Sequence, residues 1–258
     1  MFNAEREVLI IEKLNRDGRV MVTDLAWELD VTPMTIRRDL QKLEQQGALR
    51  RVHGGAVLII GLPKERAYGE KKLIQTSQKR KIAEEAVKLV APGDTILLDA
   101  GTTTFELATL LKGMQGVNVV TSDLRIAMEL CNADGRLYFI GGEIEKEIAR
   151  STGAKARQFL SDIHVDMVFL GISSIGTDFI LGSHTLENAE LKRDMLECGS
   201  RKVLLADRSK FGIKAFARIG PMSLVDVLIT DKLFCEKDLN YLETENIKLL
   251  QIRSDSDQ

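Results

Sequence analysis

Apolar residues recur at helical spacing along the first 45 positions of the chain. Ile10, Ile11 and Leu14 mark the inward face of a helix from about Ala4 to Arg16, which the Asp17-Gly18 turn stops. Arg19 to Val22 is too short for more than an extended connector. Thr23 is expected to cap a second helix whose buried side is Leu25, Ala26 and Leu29, and Asp30 to Thr32 turn into a third. There the Thr32 hydroxyl can cap the helix, and Pro33 suits a first position whose backbone lacks an N–H partner anyway. Ile36, Leu40 and Leu43 form its apolar stripe, which turns Met34, Arg38, Gln41 and Lys42 outward with Thr35 and Arg37 on the flanks. Three short helices with a tight second turn match a helix-turn-helix plan. Gly47 ends the third helix, and Ala48 to Val52 and Ala56 to Ile60 read as two strands around His53-Gly54-Gly55, a wing.

From Gly61 to about Ser77 the periodicity fades into charged and polar residues, which reads as a linker. Beyond it, helix-like and strand-like segments alternate. Helices are expected at Lys79 to Val90, Thr103 to Leu111, Leu124 to Cys131, Ala154 to Asp162, Glu187 to Cys198 and Glu236 to Glu243. Strands are expected at Thr95 to Asp99, Val117 to Thr121, Leu137 to Gly141, Val165 to Gly171, Lys202 to Ala206, Val225 to Thr230 and Lys248 to Gln251. Repeated alternation predicts a parallel sheet covered by helices. The fold class is therefore α/β: a small winged helix-turn-helix domain at residues 1–60, a linker at 61–77 and a larger, mostly parallel α/β domain at 78–258.

The 258 residues leave ample length for a buried core, and 44% apolar with 29% charged residues is a globular balance. No run of ~18 apolar residues is available to span a bilayer, and the N-terminal MFNAEREVLIIEKL carries acids where a secretory signal would be basic, so a cytoplasmic protein without a membrane partner is expected. Cys131, Cys198 and Cys235 are isolated, which argues for reduced, buried thiols and against a zinc site or disulfide framework. No metal or other cofactor is expected. A net charge of −2 excludes a broadly basic coat, but Arg37, Arg38, Lys42, Arg50 and Arg51 fall in a stretch with only Asp39 and Glu44 as acids. Any nucleic-acid contact must rely on that local charge.

The string Thr35-Ile36-Arg37-Arg38-Asp39-Leu40, followed by Leu43, Glu44, Gly47, Leu49, Arg51, His53, Gly54, Gly55 and Ala56, resembles the N-terminal winged helix of the DeoR family of bacterial transcriptional regulators. The likeness continues through Asp99 to Thr104, Val120-Thr121-Ser122, Gly141-Gly142, Phe169-Leu170-Gly171 and Asp207 to Gly212, so it covers nearly the whole chain. It implies a regulator, most often a repressor of carbohydrate metabolism genes, whose C-terminal domain is similar in fold to sugar-phosphate isomerases and senses a phosphorylated sugar or related metabolite. Ser122 stands where the family commonly has Asn, and Arg150 to Gly153 where a Phe-containing turn is common; both departures bear on which sugar fits.

Arginine's planar fork can grip a guanine edge or clamp a phosphate. The residues expected at double-stranded operator DNA are Thr35, Arg37 and Arg38 in the groove and Arg50, Arg51 and His53 on the backbone, with Thr23, Thr32, Met34 and Lys42 beside them. The bland reading, in which Arg37 and Arg38 merely solvate the helix and pair with Asp39 or Glu44, is outweighed by the cap, turn and wing around them. Trp27 is ambiguous between lining DNA and partly buried packing, and packing is favoured. So few bases bind one half-site weakly, which calls for a homo-oligomer, a dimer or tetramer.

In the second domain Asp99-Ala100-Gly101-Thr102-Thr103-Thr104 follows an apolar strand and opens a helix, placing backbone N–H groups, three hydroxyls and a positive helix end where a phosphate can sit. Asp99 is expected to orient a sugar hydroxyl or the loop itself. Thr121, Ser122, Gly141, Gly142 and Lys210 lie just beyond other strands, the edge where open α/β sheets collect ligands, and Lys210 would add cationic charge. Glu187, Glu190 and Lys192 are equally well explained as a surface pattern and stand outside this set. The alternative, a sugar-phosphate-processing enzyme with an accessory DNA-binding domain, needs proton-shuttling carboxylates. The isomerases carry Asp-Gly-Ala-Asp-Glu after the strand matched by Val168 to Gly171, whereas this chain has Gly171-Ile172-Ser173-Ser174-Ile175-Gly176, so no catalytic residue is assigned.

Overall fold

The computed structural model describes residues 3–45, 49–57, 68–69 and 75–252. The chain falls into two compact units, Met1–Pro63 and Lys64–Gln258.

In the first unit, α1 (Asn3–Asp17), α2 (Val22–Glu28) and α3 (Pro33–Gln45) enclose a core of Ile10, Leu14, Leu25, Ile36, Leu40, Leu43 and Leu49. Arg19 to Met21 is more than a connector: it is strand β1, paired antiparallel with β3 (Gly55–Val57), which also pairs with β2 (Arg50–Val52). Pairing holds β1 extended as far as Met21, and the Val22 N–H bonds the Gly54 carbonyl at 2.8 Å. The helix therefore begins at Val22, and Thr23 is not its cap; the Thr23 hydroxyl instead donates to Asp24 at 3.1 Å. Trp27 is also corrected, being 84% exposed rather than packed. At about 100° per residue it points some 200° away from buried Leu25 on the same helix. The hairpin turn is the pair His53-Gly54, with Gly55 already in the ladder opposite Val52. The expected helix end at Gly47, the strand residues Ala48 and 58–60, and linker positions 61–67 and 70–74 lie outside the described residues.

The second unit is built on seven parallel strands. They are β4 (Thr95–Leu98), β5 (Asn118–Thr121), β6 (Leu137–Phe139), β9 (Val165–Gly171), β12 (Gly199–Leu205), β14 (Val227–Thr230) and β15 (Lys248–Gln251), in the order β6-β5-β4-β9-β12-β14-β15. The helices are α4 (Thr76–Ala86), α5 (Thr102–Leu111), α6 (Leu124–Leu130), α7 (Ala154–Ser161), α8 (Leu186–Glu197) and α9 (Glu236–Thr244). Thr76 and Ser77, expected at the end of the linker, open α4 instead.

Alternate residues of single strands feed two separate cores. Leu97, Val120, Val168 and Leu204 join one, while Ile96, Leu98, Val119, Phe169 and Val203 join the other. Both faces of the sheet are thus buried over these residues, which is why the strands carry apolar residues at consecutive positions there. Two additions escape the alternation pattern: the ribbon β7 (Glu143–Glu145) with β8 (Arg150–Thr152), and the small sheet of β10 (Ser174–Ile175), β11 (Ile180–Ser183) and β13 (Ala217–Pro221). Of the cysteines only Cys198 is buried, its thiol pushed up to about 11 by burial; Cys131 and Cys235 are exposed, contrary to expectation.

Strand order reverses direction between β4 and β9. The chain steps from β4 outward through β5 to β6, then returns to β9 and steps the other way to β15. In an open parallel sheet that reversal leaves a crevice beyond the carboxyl ends of the two strands.

Candidate functional site

On the first unit the expected DNA residues lie on α3 and on the wing, and α3 packs against β2 and β3. The Thr32 hydroxyl accepts the Thr35 N–H at 3.2 Å and meets the Thr35 hydroxyl at 3.0 Å, so it caps α3 as the sequence requires. Ile36, Leu40 and Leu43 are buried, leaving Met34, Arg37, Arg38, Gln41 and Lys42 exposed.

Asp39 decides the charge of this face. It turns inward to a buried, two-pronged pair with Arg6, Nε to Oδ2 at 2.5 Å and Nη2 to Oδ1 at 3.1 Å, and that bond raises the Arg6 pKa. Asp39 is therefore unavailable to Arg37 and Arg38, neither of which has an ion pair among the described residues. Lys42, by contrast, is held by Glu7 at 2.7 Å. On the wing, Glu44 accepts the Arg51 backbone N–H at 2.8 Å and lies 4.0 Å from its guanidinium, while Arg50 and His53 are exposed. Among the described residues of α3 and the β2–β3 hairpin, Arg37, Arg38 and Arg50 are arginines without an ion pair, open to a polyanion.

On the second unit the expected effector residues gather at the carboxyl edge of the sheet. Asp99, fully buried just past β4, accepts the Gly171 N–H on Oδ2 at 3.0 Å and the Lys192 ammonium on the same oxygen. Lys192 also donates to the Gly171 carbonyl at 2.8 Å, so this ion pair ties the ends of β4 and β9 together at the switch point. The Asp99 Oδ1 has no hydrogen-bond partner among the described residues. Gly101 opens α5, and its carbonyl accepts from the Thr104 hydroxyl at 3.0 Å. The hydroxyls of Thr102 and Thr103 make no hydrogen bond among the described residues.

At the end of β5, the Thr121 hydroxyl donates to the Leu98 carbonyl at 2.9 Å and accepts the Asp123 N–H at 3.1 Å, which commits it to joining strands. The Ser122 hydroxyl is buried without a partner among the described residues. Asp123 caps α6 through Oδ1, from the Arg125 N–H at 2.7 Å and the Ile126 N–H at 3.4 Å, and burial above all raises its carboxyl pKa. Gly141 and Gly142 follow β6; Gly142 has φ 152°, and a Cβ there would meet the Thr152 carbonyl oxygen at 2.3 Å. Lys210 sits in the turn after β12, partly exposed, with no ion pair among the described residues.

Several polar groups of this edge were not in the expected set. Lys192 is the chief one, together with Arg150, which is buried with Nη1 on Asn188 at 2.5 Å and Nη2 on Glu145 at 2.5 Å. Asp123, Asp207 and Asp231 are also buried, and burial raises the Asp231 pKa. Lys192 had a readable signal, because Asn188, Leu191, Lys192 and Met195 follow i, i+3, i+4, i+7 and all are buried. Glu187 and Glu190 stay toward the surface, Glu190 pairing with Arg157 at 2.7 Å.

Residues 6–60 match the DeoR-like helix-turn-helix domain, and residues 74–232 match the DeoR C terminal sensor domain. The chain belongs to the DeoR family. It is 32% identical to the HTH-type transcriptional repressor GlcR of Bacillus subtilis, over 99% of this chain and 98% of that protein. It is 34% identical to the HTH-type transcriptional regulator GlpR of Haloferax volcanii, over 90% and 91%. With the glycerol-3-phosphate regulon repressor of Escherichia coli it shares 32% over 90% and 92%. Ribose 5-phosphate isomerase A of Methanocaldococcus jannaschii superposes on 53% of this chain and 55% of its own at a TM-score of 0.40 and 21% identity, too loose a likeness to argue from. The DeoR-family chain is a DNA-binding transcriptional regulator and not an enzyme. Among the described residues no helix is long and apolar enough to cross a membrane.

Proposed function

We propose that this chain is a cytoplasmic repressor, acting as a dimer or tetramer, whose affinity for double-stranded operator DNA is set by a phosphorylated sugar or related metabolite at the carboxyl edge of the sensor sheet. The observation that carries the sensing half is the Asp99–Lys192 pair at the switch point, beside the N-terminus of α5, where the Thr102 and Thr103 hydroxyls make no hydrogen bond among the described residues. Backbone N–H groups and hydroxyls at Gly101 to Thr104, with Lys210, suit a phosphate. Asp99, Ser122 and Asp123, each with a buried oxygen that has no partner among the described residues, suit the hydroxyls of a polyol. That one relative is named for a glycerol-3-phosphate regulon fits a small phosphate ester.

DNA contact is assigned to Thr35, Arg37 and Arg38 in the groove and to Arg50, Arg51 and His53 on the backbone. Lys42 and Arg51 contribute less, because Glu7 and Glu44 already hold them. Thermal melting of the full chain against a panel of phosphorylated sugars and glycerol phosphates tests the sensing half, since a ligand selective for the native state raises the transition. One member should raise it saturably and its unphosphorylated parent should not. A flat panel would remove the sensing half while leaving the DNA half intact.

A further inference from the structure

Tyr68 lies near the start of the sensor unit, in the stretch by which the chain arrives from the DNA-binding unit. Its ring is gripped from two sides. The Arg125 guanidinium stands 3.8 Å from the ring centroid, and Phe105 meets the ring edge-on at 6.3 Å and 82°. Burial pushes the Tyr68 hydroxyl up to about 12, so the ring stays neutral and the contact is that of a cation over a π face.

The two gripping residues sit on the helices that open onto the crevice. Phe105 directly follows Thr102 to Thr104 on α5, and its N–H bonds the Gly101 carbonyl at 3.0 Å. Arg125 is the second residue of α6, directly after the Ser122-Asp123-Leu124 turn. Its guanidinium donates to the Ile148 carbonyl, in the turn of the β7–β8 ribbon, and lies 3.9 Å from Asp123 Oδ1. The same guanidinium thus lies over Tyr68 and near a carboxylate of the crevice.

We propose that Tyr68 and Arg125 form the coupling clamp by which the state of the crevice reaches the DNA-binding unit. The proposal rests on the sensing reading above. An anion arriving at the N-termini of α5 and α6 competes for Arg125, because a guanidinium forks onto phosphate oxygens more strongly than it lies over a neutral ring. Tyr68 then loses its cation, and with it an anchor. Arg125 over Tyr68 and Arg125 on the anion would then be the two arrangements, the first favoured by the incoming chain and the second by the ligand, which is what coupling two sites requires.

The test uses the full chain, a DNA duplex selected from a random pool by the wild type, and the panel compound that most raises the wild-type melting temperature. Operator affinity is measured with and without that compound for wild type, Tyr68→Ala and Tyr68→Phe. Wild type should show a change of about tenfold or more, within the usual range of coupling between sites. Tyr68→Ala should bind the compound within about threefold of wild type, yet show a ratio below about threefold; Tyr68→Phe, which keeps the π face, should keep the wild-type ratio. Tyr68→Leu, of similar bulk without the π face, replaces the alanine variant if that one does not fold. A wild-type ratio in Tyr68→Ala or Tyr68→Leu overturns the clamp alone, as does a Tyr68→Phe ratio as low as that of alanine. A panel with no ligand overturns the sensing reading and the clamp with it.

Discussion

Lys192 and Asp99 show how far a single residue's environment can lie from its neighbours in sequence. The lysine is buried because a carboxylate 93 positions earlier meets its ammonium, and neither charge would be tolerable there alone. Lys192→Met should therefore cost about 3–5 kcal/mol in urea unfolding, with much of it recovered in Lys192→Met combined with Asp99→Asn. An alanine-sized loss equal in the single and double variants would show that the charge pair is not what matters. Asp123 gives a pH signature. Its folded pKa is raised, so the native state binds a proton more readily than the unfolded chain, and the stability it contributes is present at low pH and lost as pH rises through the folded value. Asp123→Asn keeps an amide oxygen for the α6 cap and should stabilise the protein at pH 7, with the gain shrinking as pH falls toward the ordinary 3.8. Melting curves across that range check it; a gain that grows in acid contradicts the sign. In the sequence, the partners of Asp39 and Lys192 were invisible because each pair is made by tertiary packing. The Thr32 cap and the buried Ile36, Leu40 and Leu43 were legible because they depend only on local geometry.

At the scale of elements, periodicity located the helices and central strands because each central strand is buried on both faces and each helix on one. It failed for β1, three residues whose strand character comes only from pairing with β3, and for the short β7–β8 and β10–β11–β13 additions. The wing depends on a close approach: a Cβ at Gly55 would stand 2.0 Å from the Val20 carbonyl oxygen and 3.0 Å from the Met21 Cα. Gly55→Ala should push β3 from β1, destabilise the first unit by about 1–3 kcal/mol and weaken operator binding. An unchanged melting profile and operator affinity would show that the three-stranded wing is dispensable. On α3, Arg37→Ala with Arg38→Ala should lower operator affinity and flatten its salt dependence while leaving stability within about 0.5 kcal/mol, since both side chains are exposed without ion pairs among the described residues. Binding that persists at fixed salt would refute the recognition helix.

For the whole molecule, a DNA reader with few open bases and a sensor crevice ringed by buried carboxylates stand on one chain of net charge −2. Affinity cannot come from overall charge; it rests on geometry and, in the proposed dimer or tetramer, on pairing of half-sites. Regulation requires the ligand to favour one state of the molecule over another, and by linkage DNA must then weaken ligand binding by the same factor that ligand weakens DNA binding. The most direct test of the account is one titration of a selected operator duplex at fixed salt, with and without the sugar phosphate that stabilises the sensor unit. Operator affinity should be at least about tenfold weaker in its presence. Equal affinity at saturating ligand would contradict it.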